Sequence, residues 1–250
     1  MRKWEDNSWS IGDLRIPLPV VQGGMGVGIS LHGLASAVAM QGGVGVISAT
    51  GLDFMKQGRT IAGEIRAAKE KTRGIIGVNI MVALRDFDKL VRESIAAGAD
   101  IIFAGAGLPL ELPALLPENC RTKLAPIVSS GKAARLIAKR WQSHYGYTPD
   151  AVVVEGPLAG GHLGFKKEEL EDPGCTLESI FADVKKELEP FGAIPLIAGG
   201  GLYYGGDVAR ILELGASAAQ LGSRFVTTVE CDASKEFKEA YIRAKKEDVG

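Results

Sequence analysis

The chain has 250 residues, 46% hydrophobic and 24% charged, with 29 Lys and Arg against 30 Asp and Glu for a formal net charge of −1. This length buries a sizeable core, and a near-neutral balance excludes a dedicated nucleic-acid binder, which needs a basic face. Apolar runs such as 75–84 are too short to span a bilayer, and no apolar leader follows the charged N-terminus.

Runs of strand character come at 18–22, 44–48, 75–79, 100–104, 125–129, 151–155, 194–198 and 218–222. Most are near-continuous in Val, Ile and Ala, which suits parallel strands covered on both faces. Segments of helical pattern lie between and after them, at 31–41, 60–71, 87–97, 110–116, 132–141, 177–188, 207–214 and 234–247. The fourth contains Pro113 and is weak. Gly74, Gly98 and Gly215 follow three of these segments, where a C-cap glycine is expected. Eight strands alternating with eight helices predict an α/β fold, a parallel eight-stranded (β/α)8 TIM barrel. A doubly wound sheet is the rival, but the first loop, Gly23-Gly24-Met25-Gly26-Val27-Gly28, lacks the Rossmann spacing. No linker divides the chain, so residues 1–250 read as a single domain. The stretch 156–177 is the longest irregular one, a length that is often functional.

Catalytic groups of a barrel lie at the carboxyl ends of its strands. There the sequence is rich in glycine, which makes up 33 of the 250 residues, and poor in charge. Gly199-Gly200-Gly201 ahead of a helix at 207–214, and Gly222-Ser223 after the last strand, can aim backbone N–H groups at one point. Phosphate binds where such groups and a helix N-terminus meet. His32, at a helix start, and His144, in a polar stretch, read as structural or surface residues. His162 stands beyond a strand end among Gly160, Gly161 and Gly164, where an imidazole could exchange protons near neutrality. Glu155 could accept bonds from a ligand ring or be a satisfied buried carboxylate. Lys132 is most simply a helix-start cation. No ligand-spaced histidines point to a metal, and no Gly-x-Ser-x-Gly elbow is present. Cys120, Cys175 and Cys231, odd in number and without a CxxC pair, suggest thiols in a reducing compartment, and a cytoplasmic location is expected.

The segments Val20-Val21-Gln22-Gly23-Gly24-Met25-Gly26, Gly77-Val78-Asn79, Glu155-Gly156-Pro157-Leu158-Ala159-Gly160-Gly161-His162, Pro195-Leu196-Ile197-Ala198-Gly199-Gly200-Gly201 and Gln220-Leu221-Gly222-Ser223-Arg224-Phe225 together resemble the nitronate monooxygenase (2-nitropropane dioxygenase-like) flavoproteins. That family also includes FMN-dependent enoyl-acyl-carrier-protein reductases. The resemblance implies a TIM barrel holding FMN non-covalently. By it, Gly200, Gly201, Gln220, Gly222 and Ser223 cradle the phosphate. Asn79, Gly23, Gly24 and Met25 lie along the flavin ring, Gly160 and Gly161 complete the cofactor site, and His162 is the catalytic proton donor or acceptor. It implies oxidation of a nitronate with dioxygen to a carbonyl compound and nitrite. The alternative is an NAD(P)H-dependent enoyl-ACP or quinone reductase; a non-catalytic flavin- or phosphate-binding barrel is the third reading. The partners expected are small molecules, with no nucleic acid and no membrane; homo-oligomerisation is left open. Two departures stand out: Gly199 replaces the family's usual Ala, and family members usually continue past the final helix, so a C-terminal extension is expected to be missing.

Overall fold

In a computed structural model of the chain, residues 8–52, 58–162, 164–170, 172–245 and 248 are described. The expected barrel is present. A hairpin of β1 (Trp9–Ile11) and β2 (Leu14–Ile16) precedes eight parallel strands: β3 (Val20–Gln22), β4 (Val44–Ser48), β5 (Ile75–Met81), β6 (Ile101–Gly105), β7 (Lys123–Val128), β8 (Val152–Glu155), β9 (Leu196–Gly199) and β10 (Ala218–Leu221). They pair in chain order and close when β10 pairs with β3, Gln220 lying opposite Val21. Every residue of β4 and β6 is buried, as strands covered on both faces require.

The helices are α1 (His32–Met40), α2 (Ile61–Lys71), α3 (Phe87–Ala96), α4 (Gly131–Tyr145), α5 (Lys167–Leu170), α6 (Leu177–Leu188), α7 (Gly205–Glu213), α8 (Ser223–Val226) and α9 (Lys235–Arg243). Side-chain oxygens start several of them: Thr60 accepts from Gly63 N, Ser130 from Ala133 N, and Ser234 from Phe237 N. Thr176 and Ser179 exchange bonds across the start of α6. Helix α1 is capped from a distance: Asp232 accepts from Leu31 N at 2.8 Å and from Gly33 N and Leu34 N, each at 3.0 Å. Its small residues let it lie close on β4, where a Cβ at Gly45 would fall 1.9 Å from Ala35 O.

Burial forms two layers. Between strands and helices lies one cluster that includes Ile47, Ile65, Ile102, Trp141, Val154 and Phe181. Inside the barrel lies another, with Val21, Val44, Val46, Ile101, Phe103, Ala125, Val153, Ile197 and Ala218. Ile11 and Ile16 of the hairpin, both fully buried, join this inner cluster and close the amino-terminal end of the barrel. The hairpin lies outside the sequence reading, which begins its strands at residue 18. Its turn, Gly12-Asp13, has Gly12 at φ +57, and Gly at the first position of a two-residue hairpin loop is a II′ signature.

Three expectations change. Gly98 and Gly215 do adopt positive φ after their helices, but Gly74 does not cap α2. That helix ends on the extended residue Thr72, and Gly74 instead admits a close approach, since its Cβ would lie 2.3 Å from Ala39 O. The weak helix at 110–116 is a 3-10 turn, Leu112–Leu115, because Pro113 supplies no N–H for a longer ladder. The final helix, expected to reach residue 247, is observed to Arg243; residues 246 and 247 lie outside the described residues. No helix of the described residues is long and apolar enough to cross a membrane.

Candidate active site

Side chains alternate along each strand, so the position two residues beyond the last inward apolar residue forms the next layer up. That layer holds Gly23 after β3, Ser48 on β4, Asn79 on β5, Gly105 on β6, Glu155 on β8, Gly199 on β9 and Gln220 on β10. The glycines take little volume, and a hollow opens where the lower layers are packed.

Three cavities meet there. One, about 460 Å3, is lined by Gly23, Gly24, Met25, Gly160, Gly161, Gly200, Gly201, Gln220, Gly222 and Ser223. The second, about 490 Å3, is lined by Asn79 and His162 along with Gly24, Ser48, Thr50, Gly160 and Gly161. The third, about 380 Å3, runs from His162 to Ser129 and Ser130 at the start of α4. All the residues singled out in the sequence for cofactor contact or catalysis therefore border one connected mouth. His32 does not. Its Nδ1 lies 2.7 Å from Glu64 Oε2, with Arg59 on the other carboxylate oxygen at 2.9 Å. His144 is on the surface beside Arg140 and Ser143. Among the described residues no three His, Cys, Asp or Glu side chains gather as metal ligands.

The turn after β9 is built for close approach. Gly200 and Gly201 have φ of +105 and +73, conformations that L side chains rarely adopt. A Cβ at Gly200 would lie 3.0 Å from Ala159 N, and one at Gly201 would lie 2.9 Å from Leu158 Cδ1. The helix start expected to assist is already engaged: Asp207 Oδ2 accepts from Tyr203 N at 3.0 Å and Tyr204 N at 2.8 Å. These bonds hold the Asp207 carboxyl below its usual range. The start of α7 thus carries its own carboxylate, which ties down the two amides just before the helix, Tyr203 N and Tyr204 N.

The loop after β3 is fixed by Ser30, whose Oγ accepts from Met25 N at 2.8 Å and whose N donates to Met25 O at 3.1 Å. Below it the buried Gln22 amide is satisfied, accepting from Val46 N at 3.0 Å through Oε1. Gly24 passes so close to Asn79 that a Cβ would fall 2.4 Å from Asn79 Cβ.

The sequence reading missed two features of the mouth. Val27 and Ala106 line it with positive φ, +53 and +51, and non-glycine residues held this way store strain that clusters at functional sites. Phe237 and Tyr241 of α9, with ring centroids 5.6 Å apart, border two of the cavities. Their i,i+4 spacing was the available signal, hidden within a charged segment.

The nitronate monooxygenase family profile matches residues 7–250. A nitronate monooxygenase of Pseudomonas aeruginosa is 29% identical, over 91% of this chain and 71% of that protein. An octahydro-indene-carboxyl-CoA dehydrogenase of Mycobacterium tuberculosis is also 29% identical, over 90% of this chain and 57% of that protein. Among solved structures, a single-residue variant of FabK from Thermotoga maritima superposes with a TM-score of 0.74 at 32% identity, covering 92% of this chain and 69% of that one. The chain thus spans little more than half to under three quarters of the length of these relatives.

Proposed function

Because this chain belongs to the nitronate monooxygenase family, a family of enzymes that is generally FMN-dependent, we propose that it is an FMN-dependent oxidoreductase converting alkyl nitronates and dioxygen to a carbonyl compound and nitrite. The observation that carries the reading is the single mouth into which the turns after β9 and β10, the loop after β3, Asn79 and His162 all open. We read the chain as one FMN-binding barrel, and its free cysteines fit a reducing, cytoplasmic setting.

The residues present fit such a group. A Cβ at Gly200 or Gly201 would meet the neighbouring loop, and the φ values there turn backbone into the cavity. Gly200, Gly201, Gly222 and Ser223 would hold the phosphate through N–H groups, with Gln220 beside them. Gly23, Gly24, Met25, Asn79, Gly160 and Gly161 would bound the ring. When bound, FMN supplies the two-electron chemistry that amino acids lack. The protein's own part is to position and exclude. His162 would stand over the reacting carbon, taking the proton from a neutral nitroalkane or orienting the nitronate anion. Phe237 and Tyr241 would narrow the approach of water.

Anaerobic mixing of the FMN-reconstituted protein tests the assignment. Rapid bleaching of the flavin by propyl-2-nitronate, with NADH and NADPH inert, is expected. Fast bleaching by NADH or NADPH with the nitronate inert would replace it with the reductase reading, to which the likeness to FabK lends weight.

A further inference from the structure

The floor of the mouth holds one acid that the proposed reaction does not use. Glu155 is the last residue of β8. Val153 belongs to the cluster inside the barrel, Val152 and Val154 to the one outside. Alternation therefore turns Glu155 inward, one layer above Val153. It borders all three cavities. Among the described residues no hydrogen bond or ion pair reaches its carboxyl.

The polar groups sharing its layer, Ser48, Asn79 and Gln220, are uncharged. The titratable ones facing the mouth are His162 from its own loop, Tyr203 from the turn after β9 and Tyr241 from α9; the described lining contains no Lys or Arg. A carboxylate at this half-buried position gives up part of its water and gains no counter-charge. Burial accordingly pushes Glu155 up to about 7. Glu64 shows the opposite outcome. Burial opposes its charge too, yet bonds from His32 and the nearby Arg59 hold it below its ordinary value.

We propose that Glu155 is a proton-holding contact residue, whose neutral carboxyl donates a hydrogen bond to a carbonyl- or nitronate-type oxygen of the molecule bound in the mouth. This rests on the flavin reading of that mouth. It has a thermodynamic consequence. Above neutrality, where the empty site loses its proton, binding an acceptor oxygen draws one proton from solvent onto Glu155.

The test uses wild type, Glu155→Gln and Glu155→Leu with FMN as the probe. Calorimetry at pH 8 in two buffers of different ionisation enthalpy should show proton uptake approaching one per FMN in wild type and none in either variant. Gln keeps a donor, so at pH 6 its affinity should stay within about threefold of wild type, while Leu should lose about tenfold. Absence of uptake in wild type, or tighter binding by Leu than by Gln, overturns the proposal. A ligand-free arm separates the two readings. Glu155→Gln should raise the melting temperature at pH 8 and leave it nearly unchanged at pH 4, below the ordinary carboxyl value. An equal effect at both values overturns the neutral acid whether or not FMN binds. A pH-dependent effect with no FMN binding by any of the three overturns the flavin reading, and the hydrogen bond to ligand with it.

Discussion

The two ends of the barrel are made from the same alternating strands and finished in opposite ways. At the amino end, Ile11 and Ile16 of an added hairpin fill the bore and are themselves fully buried. At the carboxyl end, the corresponding layer is three glycines and four polar side chains, and two loop residues, Val27 and Ala106, sit in conformations they disfavour. One end gains stability from burial, and the other gives stability up to keep a hollow. Substitutions should therefore change sign between them.

The largest loss is expected at the closed end. Ile16→Ala removes a fully buried side chain and should cost about 4 kcal/mol, measured by denaturant unfolding, with flavin affinity in the folded protein unchanged. Weakened flavin binding would mean that the ends are coupled. Next comes the acid in the open end. Its folded value is about 7 against an ordinary 4.5. Between those values the folded chain keeps a proton that the unfolded chain has lost, so wild-type stability falls as pH rises through the window. Glu155→Gln should then stabilise the ligand-free protein by roughly 3 kcal/mol at pH 8 and negligibly at pH 4. A smaller effect is expected at Gly222. A Cβ there meets only Met25 Sδ at 3.6 Å, so Gly222→Val should fold normally while its longer side chain fills the mouth. Flavin fluorescence quenching should then show affinity at least ~100-fold weaker, equivalent to about 2.7 kcal/mol. The smallest effect is a gain: Val27→Gly relieves a β-branched residue at positive φ and should add about 1 kcal/mol to thermal stability. A loss would show that the loop is held by the Val27 side chain and not strained by it.

The contrast between the ends also explains what the sequence disclosed. The eight barrel strands were legible because parallel strands buried on both faces leave long Val/Ile/Ala runs, as at Val44–Ser48. The mouth was legible because close backbone approach requires glycine, and the glycines stand directly after those runs. The hairpin was not read, since three-residue strands such as Trp9–Ile11 give too little alternation to register. The strain at Val27 left no trace, because the residue type argues against the conformation it adopts. The engagement of Asp207 was equally hidden: an acid in the first turn is common, and only the fold shows that it binds the amides of Tyr203 and Tyr204 just ahead of α7. Phe237 and Tyr241 lay in a segment whose charges masked their shared face.

The seam between β3 and β10 has a consequence for biosynthesis. The second strand of that pair lies some two hundred residues after the first, and Asp232, which caps α1, comes later still. The barrel cannot close before residue 221 has been made, so any sheet that the earlier strands form has two unpaired edges until then. Such edges invite pairing with other chains.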